Sequence, residues 1–534
     1  MRSNDPHRGR ERLVAADLSR DRRRLVAAAA FAALAVAVIL SLSASTAGGG
    51  AREVGQPPPE WAANSGSWPS HNYDLSNTRA TTEAEIQSSN VSRLRPKWRF
   101  RFQGASTFGA YSSTPIVVDG TVYLQDLNSN VYALDRATGR LKWRRMFNAP
   151  STGPNGVAYG WGALYGVTEK STFALNAQNG RLIWSRRLTR HKSEGIDVVP
   201  QLYDGAVVVS TVPVSVRNSY LGGAMGVVYA LDATTGKIKW RFNTVKGGAK
   251  LWGNPGVNNG GGFWYPPAVD DQGRVFVPVA NPAPFPGTSK YPNGSSRPGP
   301  NLYTNSLVVL DGQTGRLLWY RQALPHDVRD YDLQISPILA NVDGVDTVMV
   351  AGKMGKVYAY RSDTGRRLWT RAVGRHQNDV GALPRKPVLV YPGVLGGVET
   401  PMAFSDDRLF VPWLDLPTKL SATAFDTESA FDFSKGRGGL TTVDPASGKV
   451  LWERRLPQMN FGAATVANDV VFTSTFDGTI YAFDTESGRT LWRAKARAGI
   501  NSFPAIDGDT VLVGAAATGF FKKPVFELIA YSLG

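Results

Sequence analysis

The 534 residues include 56 Gly and 33 Pro and are 42% hydrophobic and 10% aromatic, a balance that excludes global disorder and a low-complexity chain. There is no cysteine, which excludes disulfides, thiolate zinc sites, covalent c-type haem, a lipid-anchoring cysteine and a cysteine nucleophile. A formal charge of +17 suits nucleic acid or an anionic surface, but the first segment argues against nucleic acid.

Residues 1–24 form a basic segment with eight Arg, ending in Arg22, Arg23 and Arg24. The run 25–40 (LVAAAAFAALAVAVIL) then has no polar side chain. Carried as a helix it satisfies its own backbone in lipid, and its Arg-rich flank stays cytoplasmic. Residues 25–47 are therefore read as a transmembrane signal anchor or a signal peptide, with Ser45-Thr46-Ala47 as a small-residue cleavage site. The rest of the chain is expected outside the cytoplasm, membrane-anchored or secreted, and nucleic acid drops out as a partner. Residues 48–65 read as a linker and 66–534 as one propeller domain.

One unit recurs seven times, as in VYALDRATGRLKW, VYALDATTGKIKW and IYAFDTESGRTLW. Its Gly and Trp are always four apart: Gly139/Trp143, Gly180/Trp184, Gly236/Trp240, Gly315/Trp319, Gly365/Trp369, Gly448/Trp452 and Gly488/Trp492. Alternating apolar residues make one strand, the Asp-x-x-Thr/Ser-Gly type of sequence makes a tight turn, and a second strand carries the Trp. A second hairpin, such as TPIVVDGTVYL, precedes most copies. Four strands per ~40 residues is a propeller blade. After Trp492 the chain supplies three more strands, and LRPKWRFR near the start supplies one with Trp98. Joined, they predict an eighth blade stitched from both ends, which leaves no open sheet edge. The fold class is an all-β, eight-bladed β-propeller with one N-terminal helix.

The repeat Trp residues are 41, 56, 79, 50, 83 and 40 apart, so loops carry the excess over a minimal blade. With the strands of a blade called A to D, the long insertions 212–224, 243–263, 282–305, 371–398 and 414–437 are all B–C or D–A connections. They crowd one face, where long loops on a rigid scaffold place binding. Residues just before strand A and just after strand B mark this mouth. Trp264 and Asn281 do so in one blade; Asp330, Asp332 and Lys353 do so in the next. An aromatic plate, an amide, two carboxylates and an ammonium suit a planar anionic ligand with a hard cation.

The repeats, with GGGFWYPPAVDDQGRVFVPVANPAPF and PHDVRDYD, resemble the pyrroloquinoline-quinone (PQQ) dehydrogenase propellers over residues ~66–534. The resemblance implies oxidation of an alcohol or polyol by hydride transfer to a metal-bound quinone, with a separate electron acceptor. It implies PQQ and Ca²⁺ or a lanthanide as cofactors. Trp264 would stack beneath the quinone. Asn281 would contact the cofactor and ligate the metal. Asp330 would be the catalytic base at the metal, Asp332 the extra carboxylate of the lanthanide-using branch, and Lys353 would face the quinone oxygens. Two departures stand out: VVVSTVPVSVRNSYLGG carries no acid where the family has a metal-binding Glu, and Arg329 replaces the motif's usual Trp. The alternative expectation is a non-catalytic PQQ-like propeller that scaffolds an envelope protein partner.

Overall fold

The computed structural model describes residues 54–106, 108–151, 153–214 and 222–534. The basic segment and the apolar run 25–40 lie outside these residues, and among the described residues no helix is long and apolar enough to cross a membrane.

Each repeat forms the outer hairpin of a blade, and its turn residues show why. In the unit at Val131–Asp135 and Leu141–Arg145, Asp135 Oδ1 accepts the Thr138 amide (2.9 Å) and hydroxyl (2.7 Å). The Gly139 amide closes back on the Asp135 carbonyl at 2.8 Å. Gly139 then takes φ +68°, the left-handed region that glycine enters without penalty. The same turn recurs at Gly180, Gly236, Gly315, Gly365, Gly448 and Gly488, all with φ between 65° and 71°.

Eight blade sheets result, antiparallel throughout except where Ala80–Thr81 adds in parallel to one of them. Blade 1 contains Ile116–Val118, Thr121–Gln125, Val131–Asp135 and Leu141–Arg145. Blades 2 and 3 span residues 158–187 and 201–243, blades 4 and 5 span 268–322 and 338–372, and blades 6 and 7 span 403–456 and 465–495. Blade 8 orders Ala505–Asp507, Thr510–Ala515, Glu527–Ser532 and then Arg95–Arg101, so the two ends of the chain close the ring as the sequence predicts. Burial falls from strand A, buried throughout in most blades, to strand D, whose alternate residues are exposed.

Neighbouring blades dock through one repeated contact. Seven of the eight strand-D Trp residues lie under the turn Gly of the next blade. A Cβ at Gly139, Gly180, Gly236 or Gly315 would fall 2.5–2.7 Å from the indole of Trp98, Trp143, Trp184 or Trp240. Most of these indole N–H groups donate to a carbonyl in the next blade, as Trp240 Nε1 does to Gly312 O at 2.8 Å. Trp492 closes the circle by donating to Leu94 O at 3.3 Å.

Residues 68–80 run along the inner strands. The carbonyls of Trp68, Leu75, Ser76, Thr78 and Arg79 accept amides from the A strands of blades 1, 4, 5, 6 and 7 at 2.8–3.0 Å. The Arg79 guanidinium is fully buried here with carbonyls as partners, those of His71 (2.7 Å), Ala464 (2.8 Å) and Pro504 (2.9 Å) among them. Burial lowers its pKa to about 9. Upstream, Pro59–Ala63 is a short helix held on blade 2 by Trp61 Nε1, which donates to Tyr159 O at 2.7 Å.

The A–B and C–D turns are short, and the insertions build the opposite face. Three two-stranded ribbons rim it: Glu194–Gly195 with Val212–Pro213, Asn259–Gly260 with Pro282–Ala283, and Val388–Val390 with Thr418–Leu420.

Candidate active site

Four of the five predicted residues meet in one hydrogen-bonded cluster. Asn281 leaves strand B of blade 4, Asp330 and Asp332 enter strand A of blade 5, and Lys353 leaves strand B of blade 5. Lys353 Nζ lies 2.8 Å from Asp330 Oδ2 and 2.7 Å from Asp332 Oδ2. Asn281 completes both carboxylates: its Nδ2 donates to Asp330 Oδ1 and its amide to Asp332 Oδ1, each at 2.7 Å. All four residues are at most 9% exposed. Burial drives the Asp330 pKa well above the usual carboxylate range; Lys353 pulls it back and the Asp332 charge pushes it further up.

The loop that presents Asp330 is fixed from several sides. Asp330 itself takes φ +65°, uncommon for a residue with a side chain. The buried Asp327 carboxylate accepts the amides on either side of it, Arg329 N and Tyr331 N, each at 2.7 Å. Arg297, fully buried in the 282–305 insertion, donates to the Asp327 carbonyl. Arg329 is spent on the other neighbouring insertion. Its guanidinium donates to the carbonyls of Asn378 (3.0 Å), Val380 (3.0 Å) and Gly381 (2.9 Å). The polar residue at the position of the motif's Trp is thus a clamp between two loops.

Trp264 stands before strand A of blade 4, half-buried, and its indole N–H has no partner among the described residues. Gly153 approaches its edge. A Cβ there would lie 3.4 Å from Trp264 Cζ3, an ordinary contact, but would collide with Asp197 Cβ at 2.5 Å, so the Asp197 side chain dictates glycine.

Sequence reasoning missed Glu399. It stands four residues before strand A of blade 6, the register of Trp264 in blade 4, and that recurrence is the signal that could have found it. Its Oε2 accepts Gln334 Nε2 at 2.6 Å, its carbonyl accepts Tyr265 OH at 3.0 Å, and its Oε1 has no hydrogen-bond partner. Burial raises its pKa to about 7, with Lys353 lowering and Asp332 raising it.

Blade 3 supplies no acid to the cluster. Val212 and Pro213 occupy the end of its strand B, and the nearby Glu194 carboxylate accepts the amides of Arg190 (2.6 Å) and His191 (3.1 Å) in its own loop.

Residues 68–374 match the family model described as glucose/ethanol/alcohol dehydrogenase, beta-propeller domain. The chain belongs to the PQQ dehydrogenase propellers. They are a family of oxidoreductases, and residues 393–521 also match the model of outer membrane protein assembly factor BamB. The chain is 27% identical to a quinohemoprotein alcohol dehydrogenase of Comamonas testosteroni, over 84% of this chain and 72% of that one. It is 26% identical to the quinoprotein alcohol dehydrogenase PedH of Pseudomonas putida, over 79% and 81%. The crystal structure of the Comamonas enzyme superimposes with TM-score 0.76 at 23% identity, covering 89% of this chain and 81% of that one. A europium-containing methanol dehydrogenase gives 0.72 at 21% identity, covering 88% and 98%.

The residues present fit the family's cofactors. Two buried carboxylates already grip a cation, the Lys353 ammonium, and these, with the side-chain oxygen of Asn281, are the residues that would hold Ca²⁺ or a lanthanide. Trp264, half-buried and with its indole N–H unpartnered among the described residues, would suit the planar PQQ ring.

Proposed function

We propose that the protein is an exported PQQ-dependent dehydrogenase that oxidises an alcohol or polyol and passes the electrons to a separate acceptor. The observation that carries this is the buried Asn281–Asp330–Lys353–Asp332 cluster, in which a carboxylate of raised proton affinity faces an amide and an ammonium on the loop-rich face. The apolar run behind the Arg-rich start supports export.

When bound, PQQ supplies the acceptor for a hydride, and the hard cation supplies a Lewis acid that polarises it. The chain's residues do the rest. Asp330 takes the proton of the substrate hydroxyl, for which its raised pKa suits it as a general base. Asn281 Nδ2 holds one Asp330 oxygen and so aims the other. Lys353 offsets the charge of both aspartates, and Asp332, Asn281 and Asp330 would hold the cation. Trp264 would carry the quinone plane.

Purified protein reconstituted with PQQ and Ca²⁺ or a lanthanide is expected to reduce an artificial dye with a primary alcohol. Asp330→Asn is expected to lower kcat by at least ~10³-fold, the upper part of the range for losing a general base, with unchanged PQQ absorbance. Absence of quinone binding under both metals would overturn the reading. The BamB-model match over residues 393–521 favours a second reading, a scaffold for envelope assembly. A stable protein partner recovered from the envelope, with no quinone in the purified protein, would select it.

A further inference from the structure

A cavity of about 350 Å³ backs onto the cluster from its outer side, between the loop 323–331 and the insertion segment 379–382. The two segments that build the cluster also build this cavity, with side chains alternating between them. Asp330 and Asp332 join the cluster while Arg329 and Tyr331 line the cavity; Lys353 joins the cluster while Met354 and Lys356 line the cavity. Its size lies within the range of small-ligand sites, and its walls are mainly apolar and aromatic.

Most of its polar groups are spoken for. Arg329 is bound to three carbonyls. Tyr331 OH donates to Pro392 O at 2.8 Å, and Tyr358 OH to Met354 Sδ at 3.1 Å. The His326 ring nitrogens lie 2.9 and 3.3 Å from the carbonyls of Asn293 and Gly299. Asp379 Oδ2 pairs with His376 Nδ1 at 2.8 Å. Among the charged groups of the lining, Lys356 alone has no hydrogen bond or ion pair among the described residues.

We propose that this cavity is a binding site for a small monocarboxylate with a compact apolar body, of benzoate size, whose carboxylate pairs with Lys356 while its body lies against Tyr331, Tyr358 and Met354. An occupant would touch the loop that presents Asp330 from the side opposite the cluster.

Titration calorimetry on the full chain, with benzoate and its neutral analogue benzamide as probes, tests this. Saturable one-site binding of benzoate is expected, with benzamide at least ~10-fold weaker, the factor that a lost charge-assisted hydrogen bond brings. Lys356→Met should weaken benzoate by a similar factor and Lys356→Arg should restore much of it. Ala323→Phe, which fills the cavity, should abolish binding without lowering the unfolding temperature. Asp330→Asn should leave the affinity unchanged, so the outcome is independent of whether the protein oxidises alcohols. No saturable binding, equal affinity for benzamide, or binding lost in Asp330→Asn but kept in Lys356→Met would each overturn the proposal.

Discussion

Around the outer edge of the propeller one contact is written again and again: a strand-D indole under the turn glycine of the next blade. At the mouth, blades 4, 5 and 6 instead contribute Asn281, the Asp330–Asp332–Lys353 set and Glu399, each with different chemistry. The edge contacts are interchangeable and separated, so losses there should add. The mouth is a single network of shared partners, where removing one member strands the others. Stability is thus spread around the rim, while charge is concentrated at the axis.

Four substitutions sharpen that contrast, from the largest effect down. Lys353→Met removes the ammonium from two buried aspartates and is expected to cost about 3–5 kcal/mol at neutral pH, as when one partner of a buried ion pair is lost. The cost should shrink in acid, where the Asp330 carboxyl of raised proton affinity is neutral; denaturant unfolding at pH 7 and pH 4 measures both.

Glu399 gives the next effect. Its folded-state pKa of about 7 stands above the ordinary 4.5, so the folded protein prefers the protonated acid. The stability this group allows is fully present below pH 4.5 and lost as pH rises to 7, a fall of about 3 kcal/mol. Glu399→Gln should remove the fall, matching wild type near pH 4.5 and exceeding it at pH 8 in denaturant titrations.

The rim supplies the last test and, in Gly120→Ala, both the smallest effect and the control. Gly315→Ala forces a side chain into φ +71° and against Trp240 at 2.6 Å, whereas Gly120→Ala at φ +66° meets open space. The expected costs are about 2–4 kcal/mol and about 1–2 kcal/mol, the difference being the overpacking term. Equal losses in thermal unfolding would show that the indole does not constrain the turn.

The rim was legible in the sequence because local rules generate it: alternation of period two, an Asp that accepts Thr138-type donors, and a glycine in the left-handed region. The closing blade followed from counting strands. Asn281, Asp330, Asp332 and Lys353 were legible as a set because strand direction places them on one face, and the structure joins them by direct hydrogen bonds. Glu399, the Arg329 clamp and the axial strip 68–80 were not read. Their partners lie on other blades or insertions, as between Gln334 and Glu399 or Arg79 and Ala464, and no periodicity encodes such pairings. Residues 25–40 lie outside the described structure, and their role in export stands with the proposed function.

The seam in blade 8 also sets a timetable for biosynthesis. Arg99 meets Glu527 across 428 positions of chain, so the Arg95–Arg101 strand is made early and has no strand to pair with until almost everything else has been translated. At ~5–20 residues per second, that interval is roughly 20–90 s. Throughout it the Trp98 indole is docked on blade 1, while the strand's backbone is an unpaired template that a second nascent copy or a chaperone could cap before its own partner arrives.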